Sequence, residues 1–250
     1  MKQRGRFQGV CSIVRFNWPY YLIAVLVLFA ALVGLQLQYQ SVRWLSAFGL
    51  AGSSYFILGS LGVSHLVYDR SDLYRWKWLD RALKGATVED GVFCHSGFDE
   101  TSIALKSETG VSDLTMLDHY DRAQMTEASI RRARSVFPPV DGTLPCPFDH
   151  WPIASESVDV VFGVLAIHEL RSEAERIKWF KESSRCLKSS GRVVIVEHTR
   201  DFANFLAFGP GFLHFHSPAS WARCWKNAGL GCSNEFRVTP WIRVFILTHS

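Results

Sequence analysis

At 250 residues the chain is long enough for one ordinary domain with an appendage, or for two small domains. Its 27 Lys and Arg against 23 Asp and Glu leave a net charge of +4, too mild and too evenly spread for a nucleic-acid partner. The 6 cysteines (Cys11, Cys94, Cys146, Cys186, Cys224 and Cys232) form no CxxC pair and no zinc-like spacing, which suits buried small hydrophobes in a reducing compartment.

From Phe16 to Val42 no residue is charged, and "YYLIAVLVLFAALVGL" is almost purely aliphatic. About 20 helical residues cross a hydrocarbon core of about 30 Å, so this stretch is long enough to span. Arg43 interrupts, and a second uncharged stretch runs from Trp44 to Tyr68, rich in Gly, Ala and Ser. Small residues of that kind let two helices approach closely across a short "QLQYQSVR" turn. Trp18, Tyr20, Tyr21, Trp44 and Tyr68 stand near the ends, where amphipathic rings favour the headgroup layer. Residues 1–69 therefore read as a two-helix membrane anchor with spans of about 18–37 and 44–67. A cleaved signal peptide fits less well, because no small-residue cleavage site is evident and a second span follows. Lys2, Arg4, Arg6 and Arg15 precede the first span, and Arg70, Arg75, Lys77, Arg81 and Lys84 follow the second. With only Arg43 between the spans, the positive-inside rule places both termini and the following domain in the cytoplasm, at an inner or plasma membrane.

"DRSDLYRWKWLDRAL" reads as an amphipathic linker helix within 70–90, its Tyr74, Trp76, Trp78 and Leu79 facing either the membrane surface or the domain; Gly85 ends it. Beyond it strands and helices alternate. "GVFCH" (91–95) and "DLTMLD" (113–118) are strands, with "ETSIALKS" a helix between them. "AQMTEASIRRARSV" (123–136) is a helix stopped by Pro138 and Pro139, followed by a looser segment. "VDVVFGVLAI" (158–167) and "RVVIVEH" (192–198) are apolar runs of the kind central parallel strands need. Between them "SEAERIKWFKESSRCLK" (172–188) is the clearest helix, with Gly191 expected at its C-terminal cap. "SPASWARCWKNAGL" is a capped helix, and "NEFRVTP" and "WIRVFILTH" close the chain as two strands. The pattern predicts an α/β domain over 91–250: a Rossmann-like, mostly parallel sheet with a C-terminal antiparallel hairpin, preceded by the transmembrane helical hairpin.

Ligands of such sheets bind beyond the carboxyl ends of the strands. The residues to read are therefore His95, Asp118, His168–Glu169 and Glu197–His198. The loop after the first strand, "HSGFDETS", holds one glycine where a dinucleotide fingerprint needs three. It opens a helix, so its backbone N–H groups at Glu100 and Thr101 would face an anion, although Ser96 or Asp99 would serve equally as an N-cap. Asp118 ends the second strand 21 residues after Gly97, where an acidic side chain accepts from ribose hydroxyls.

"WPIASESVDVVFGVLAIHEL" and "SRCLKSSGRVVIVEHTRD", in this order and spacing, resemble class I S-adenosylmethionine-dependent methyltransferases, most of all the ubiquinone/menaquinone C-methyltransferase-like group. The resemblance covers about two-thirds of the chain from Gly91 onward and implies S-adenosylmethionine as cofactor. "SGFDET" looks like the corresponding loop of leucine-carboxyl-type methyltransferases, which makes Gly97, Asp99 and Thr101 the matching residues, with His95 near a usual glycine position and Ser96 beside it. In that family an acidic residue before the step that "WPI" matches helps hold adenine; Asp149 is the nearest here, at a different spacing.

Methyl transfer needs proximity, a desolvated cleft and, for some acceptors, a base. His168, Glu169, Glu197 and His198 are candidates, and His214 lies in a Phe-rich insert, "RDFANFLAFGPGFLHFHS", suited either to a lid over an apolar acceptor or to a membrane-contacting patch. The anchor points to a hydrophobic, membrane-delivered small molecule as acceptor, with no nucleic acid. No local metal-ligand motif such as HExxH is present. A rival reading gathers His95, His168, His198, Asp118, Glu169 and Glu197 around a divalent metal, and a second rival is a non-catalytic membrane protein that has kept the fold.

Overall fold

The computed structural model describes residues 4–250. Two long helices open it, α1 (Gln8–Gly34) and α2 (Gln40–Ser64), the second continuing as a wider turn through His65–Arg70. Helix α1 begins ten residues before its expected span and bends at Asn17 (φ −116°, ψ 19°), two residues before Pro19. Proline has no N–H and crowds the preceding turn, which accounts for the bend. Below it α1 packs on the following domain; above it the aliphatic run continues. Lys2 lies outside the described residues.

Both helices are long and apolar enough to cross a membrane, and only 17% and 22% of their most apolar stretches are buried. Leu26, Phe29, Leu45, Phe48 and Leu58 are among the exposed side chains. The two helices pack on each other through small residues: Ala24, Ala31, Gly34, Ser46, Ser53 and Ser60 are among the buried ones. Gly9 sits at the base of the pair, where a Cβ would come within 2.4 Å of Tyr68 Cβ.

The expected linker helix is mostly turn; only Trp78–Ala82 (α3) is helical. Leu73, Trp76, Trp78 and Leu79 are buried against the sheet, so this segment covers one face of the domain. Apolar burial on the domain outweighs the helix that its charge pattern suggests.

The sheet has seven strands in the order β3-β2-β1-β4-β5-β7-β6. They are β1 (Asp90–His95), β2 (Asp113–Asp118), β3 (Leu144–Pro145), β4 (Val158–Val164), β5 (Leu187–His198), β6 (Leu230–Thr239) and β7 (Ile242–His249). β1 to β5 pair in parallel, while β7 runs antiparallel between β5 and β6. The period of two sorts β5 cleanly: Val193 and Ile195 join Trp179, Phe180, Trp221 and Trp225 on one face, and Val194 and Val196 join Phe162, Trp78 and Leu79 on the other. The chain is thus an α/β fold with a mostly parallel sheet and a closing antiparallel pair, as its alternating pattern predicts.

Five helices complete the domain: α4 (Ser102–Thr109), α5 (Ala128–Val136), α6 (Glu173–Cys186), α7 (Phe202–Phe208) and α8 (Pro218–Lys226). Helix α5 starts five residues later than the pattern suggests, because Asp121 turns 121–125 through its carbonyl and side chain. Helix α6 starts with a capping box, Ser172 with Glu175. Gly191 is not its C-cap. The helix ends at extended Leu187 and runs straight into β5, where Gly191 lets Leu187 and the Asp159 carbonyl approach.

Candidate active site

The carboxyl ends of β1, β2, β4 and β5 form one edge, and the expected residues divide there into two groups. The first lies at β1 and β2. His95 and Asp118 are paired in register, with His95 Nδ1 3.4 Å from Asp118 Oδ1. Asp118 is buried and accepts three hydrogen bonds, from Gly97 N (3.3 Å), Tyr120 N (3.0 Å) and Arg134 Nη1 (2.6 Å). Arg134 also donates to the Gly97 carbonyl at 2.8 Å, so α5 staples the loop to the end of β2. Gly97 has φ +114°, and a Cβ there would lie 2.6 Å from Ile130 Cγ2, so glycine is required.

Asp99 takes the capping role. Its carboxylate accepts from Thr101 N (3.0 Å), Ser102 N (2.8 Å) and the Ser102 hydroxyl. The Thr101 amide is therefore spent within the chain rather than aimed at an anion, and Thr101 and Asp99 shape the loop. Asp149 is not brought to this group: it turns to α6, where Lys178 Nζ lies 3.0 Å away.

Four buried polar atoms here have no hydrogen-bond partner: both ring nitrogens of His95, Ser96 Oγ and His119 Nε2. Buried polar atoms are almost always paired, so these mark where a polar ligand would complete the edge. Burial pushes His119 down to about 4 and lowers His95 as well. Neutral His119 donates through Nδ1 to the Cys146 carbonyl (3.1 Å) and stacks on Trp151, which leaves Nε2 as an acceptor. With three of roughly four acceptor positions of Asp118 filled, one stays free. The donor set suits a ligand carrying amino, hydroxyl and carboxylate groups.

The second group lies at β4 and β5. Glu197, fully buried, accepts at Oε1 from the amides of Ala166 (3.1 Å), Ile167 (2.9 Å) and His168 (3.2 Å), and at Oε2 from His168 Nδ1 (2.7 Å). This fixes the turn that follows β4, entered through Leu165 in the left-handed region (φ 52°). His168 Nε2 faces Glu169 Oε1 at 3.5 Å, and His214 Nε2 faces the same oxygen at 3.6 Å. Burial pulls His168 down, but Glu197 and Glu169 outweigh it and lift it to about 10. Burial raises Glu169 too, yet His168 and His214 hold it well below the carboxylate range.

His198 is different. Its Nδ1 donates to Asn204 Oδ1 (3.0 Å), Tyr68 donates to its Nε2 (2.8 Å), and its ring stacks on Phe215. Burial pushes it down to about 4. Both nitrogens are satisfied, so the ring serves as a neutral link between the end of α2 and the sheet.

The sequence singled out neither Arg134 nor His119, although His119 directly follows Asp118. It also passed over Glu127, whose Oε1 lies 3.2 Å from His214 Nδ1.

The helical hairpin sits over this edge. Arg4 and Gln8 hold Glu100 of the β1 loop (2.6 and 3.0 Å), and Phe16 packs against Phe98 and Phe137. Arg132 donates to the Phe16 carbonyl at 2.6 Å, and Tyr55 on α2 donates to the Leu206 carbonyl of α7.

Residues 100–195 match the family model described as a methyltransferase domain. Among solved structures, mitomycin 7-O-methyltransferase is similar at 14% identity and a TM-score of 0.56, over 98% of this chain and 73% of that one. A protein from Pyrococcus horikoshii OT3 aligns at 14% identity and a TM-score of 0.51, over 70% of this chain and 90% of that one. An S-adenosylmethionine-dependent methyltransferase from Aquifex aeolicus aligns at 16% identity and a TM-score of 0.49, over 71% of this chain and 89% of that one. No curated protein matches the chain. Over residues 100–195 the chain is thus similar to a methyltransferase domain, and it shares its fold with mitomycin 7-O-methyltransferase.

Proposed function

We propose that the protein is a membrane-anchored methyltransferase, facing the cytoplasm, that transfers the methyl group of S-adenosylmethionine to an apolar small molecule delivered from the bilayer. The observation that carries this reading is the position of the hairpin. Its exposed apolar surface runs down to the carboxyl edge of the sheet and meets Phe202, Phe205, Leu206 and Leu213, all exposed, on α7 and the turn after it. An acceptor dissolved in the membrane, a quinone or another lipid, then reaches the site without crossing water, at high effective concentration.

In this reading His95, Ser96, Gly97, Asp118 and His119 hold the cofactor, and Asp99 and Thr101 set the loop. Bound S-adenosylmethionine supplies an activated methyl group, so the chain's own task is orientation and exclusion of water. His168, Glu169 and His214 receive the polar end of the acceptor, and Glu197 fixes His168 through Nδ1. With no cation bound, a His168 lifted to about 10 is an imidazolium at neutral pH that donates to an acceptor oxygen; a cation held at Nε2 would displace that proton.

Vesicle flotation combined with methyl-transfer assay tests this. The full chain is expected to float with liposomes, to resist extraction at alkaline pH, and to label an organic-soluble product. A soluble chain that labels only water-soluble compounds would overturn the membrane reading.

A further inference from the structure

The acceptor group of the site has a geometry that hydrogen bonding alone does not account for. Two imidazole Nε2 atoms, His168 and His214, converge on one oxygen, Glu169 Oε1, at 3.5 and 3.6 Å. An imidazolium paired with a carboxylate sits at about 2.7–2.9 Å, so neither contact is a hydrogen bond. On the other side of each ring a carboxylate does lie within hydrogen-bond range: Glu197 Oε2 is 2.7 Å from His168 Nδ1, and Glu127 Oε1 is 3.2 Å from His214 Nδ1. Three donor atoms, one from each of His168, Glu169 and His214, lie within 4.8 Å of one another.

Donors that share a cation at about 2.0–2.2 Å stand roughly 2.8–3.1 Å apart at octahedral angles and roughly 3.3–3.6 Å apart at tetrahedral ones. The Nε2 to Oε1 separations are at the tetrahedral spacing. The outer carboxylates complete the pattern, since a metal-binding histidine almost always donates its other N–H to such a partner, which fixes ring and tautomer. Arg171 donates to the carbonyls of both His168 and His214, and so holds the two imidazole-bearing segments together. The site also has an entrance, because the His214 side chain remains 24% exposed while Glu197 is at 0%.

We infer that His168, Glu169 and His214 form a divalent transition-metal site, with Glu197 and Glu127 orienting the two rings. Two imidazoles and one carboxylate favour manganese, iron, cobalt or zinc over calcium or magnesium. Three protein ligands leave positions open for oxygens of the acceptor, which the cation would hold and acidify. This role rests on the reading of the edge as the acceptor site; the cation site itself rests on the geometry alone. It differs from the metal set that strand-end order suggests, which contains His95, His198 and Asp118 and lacks His214.

The test uses the full chain in detergent, stripped with chelator and titrated with Co(II) by visible absorption and with Zn(II) by calorimetry. Expected is one equivalent bound, with visible d–d bands, at least tenfold weaker in Glu169→Gln and His214→Ala and unchanged in Asp149→Asn. Glu127→Gln should weaken binding about tenfold, the effect of an outer partner. S-adenosylmethionine is titrated into the same samples and reports both folding and the cofactor site. Cofactor binding without saturable cation binding, or cation binding unmoved by the Glu169 and His214 variants, would overturn this inference and leave the methyltransferase reading standing. Loss of both in the parent chain would overturn the two together.

Discussion

Replacing Asp118 with asparagine separates the proposed cofactor role of this residue from its structural one. The carboxylate is 4% exposed and accepts at 3.3 Å from Gly97 N, 3.0 Å from Tyr120 N and 2.6 Å from Arg134. Asparagine keeps one acceptor oxygen for the two amides, so the loop after β1 should hold its course. The charge is lost, and with it the ion pair to Arg134 and the charge-assisted bond to a ribose hydroxyl. A hydrogen bond to a charged group contributes about 1.5–3 kcal/mol, so affinity for S-adenosylmethionine should fall roughly 10- to 150-fold. Stability should fall by a smaller amount, about 1–2 kcal/mol, because Arg134 has a side chain 30% exposed and can turn to water. Calorimetric titration of the cofactor, with a thermal melt on the same samples, measures both. Affinity within twofold of the parent, in a variant that melts only slightly earlier, would refute the assignment of Asp118 to the cofactor.

Three further outcomes are expected. Gly9→Ala places a Cβ 2.4 Å from that of Tyr68 and should lower stability by about 1–3 kcal/mol, read as a lower Tm, by forcing the base of the hairpin apart. Ser172→Ala removes the cap of α6 and should cost about 1 kcal/mol, a Tm loss of about 2–4 °C with cofactor affinity unchanged. The buried histidines set an acid limit. His119 and His198 titrate at about 4 when folded against 6.5 when free, so the unfolded chain binds more protons between those values. Stability from these two is present above pH 6.5 and lost as pH falls toward 4, on the order of 3 kcal/mol for each. Replacing either with glutamine should flatten that part of the pH–stability curve, measured by chemical denaturation.

Much of the domain was legible in the sequence because its strands are buried on both faces. Runs such as "VDVVFG" and "RVVIVEH" leave little choice, and their ends mark the edge where ligands bind. Local chemistry was less legible. β3 is two residues long and carries no pattern, and the 70–90 segment reads as an amphipathic helix although its aromatic side chains are used to cover the sheet. At the site, Asp118 could be read from its place at a strand end. Arg134 could not, since nothing in "IRRARS" marks which arginine turns inward. Asp99 and His198 each had two readings, and the structure gives both residues internal partners: the first turn of α4 for one, Asn204 and Tyr68 for the other. The convergence of His214 on Glu169 joins two segments 45 positions apart, and no spacing rule reaches that far.

The central claim is that the domain methylates a molecule held in the bilayer. Full-length protein reconstituted in vesicles made from native membrane lipid, incubated with methyl-labelled S-adenosylmethionine and then extracted with organic solvent, tests it most directly. The account predicts label in the organic phase, dependent on protein and reduced at least tenfold by Asp118→Asn. Label confined to the aqueous phase, from protein that binds the cofactor, would contradict it.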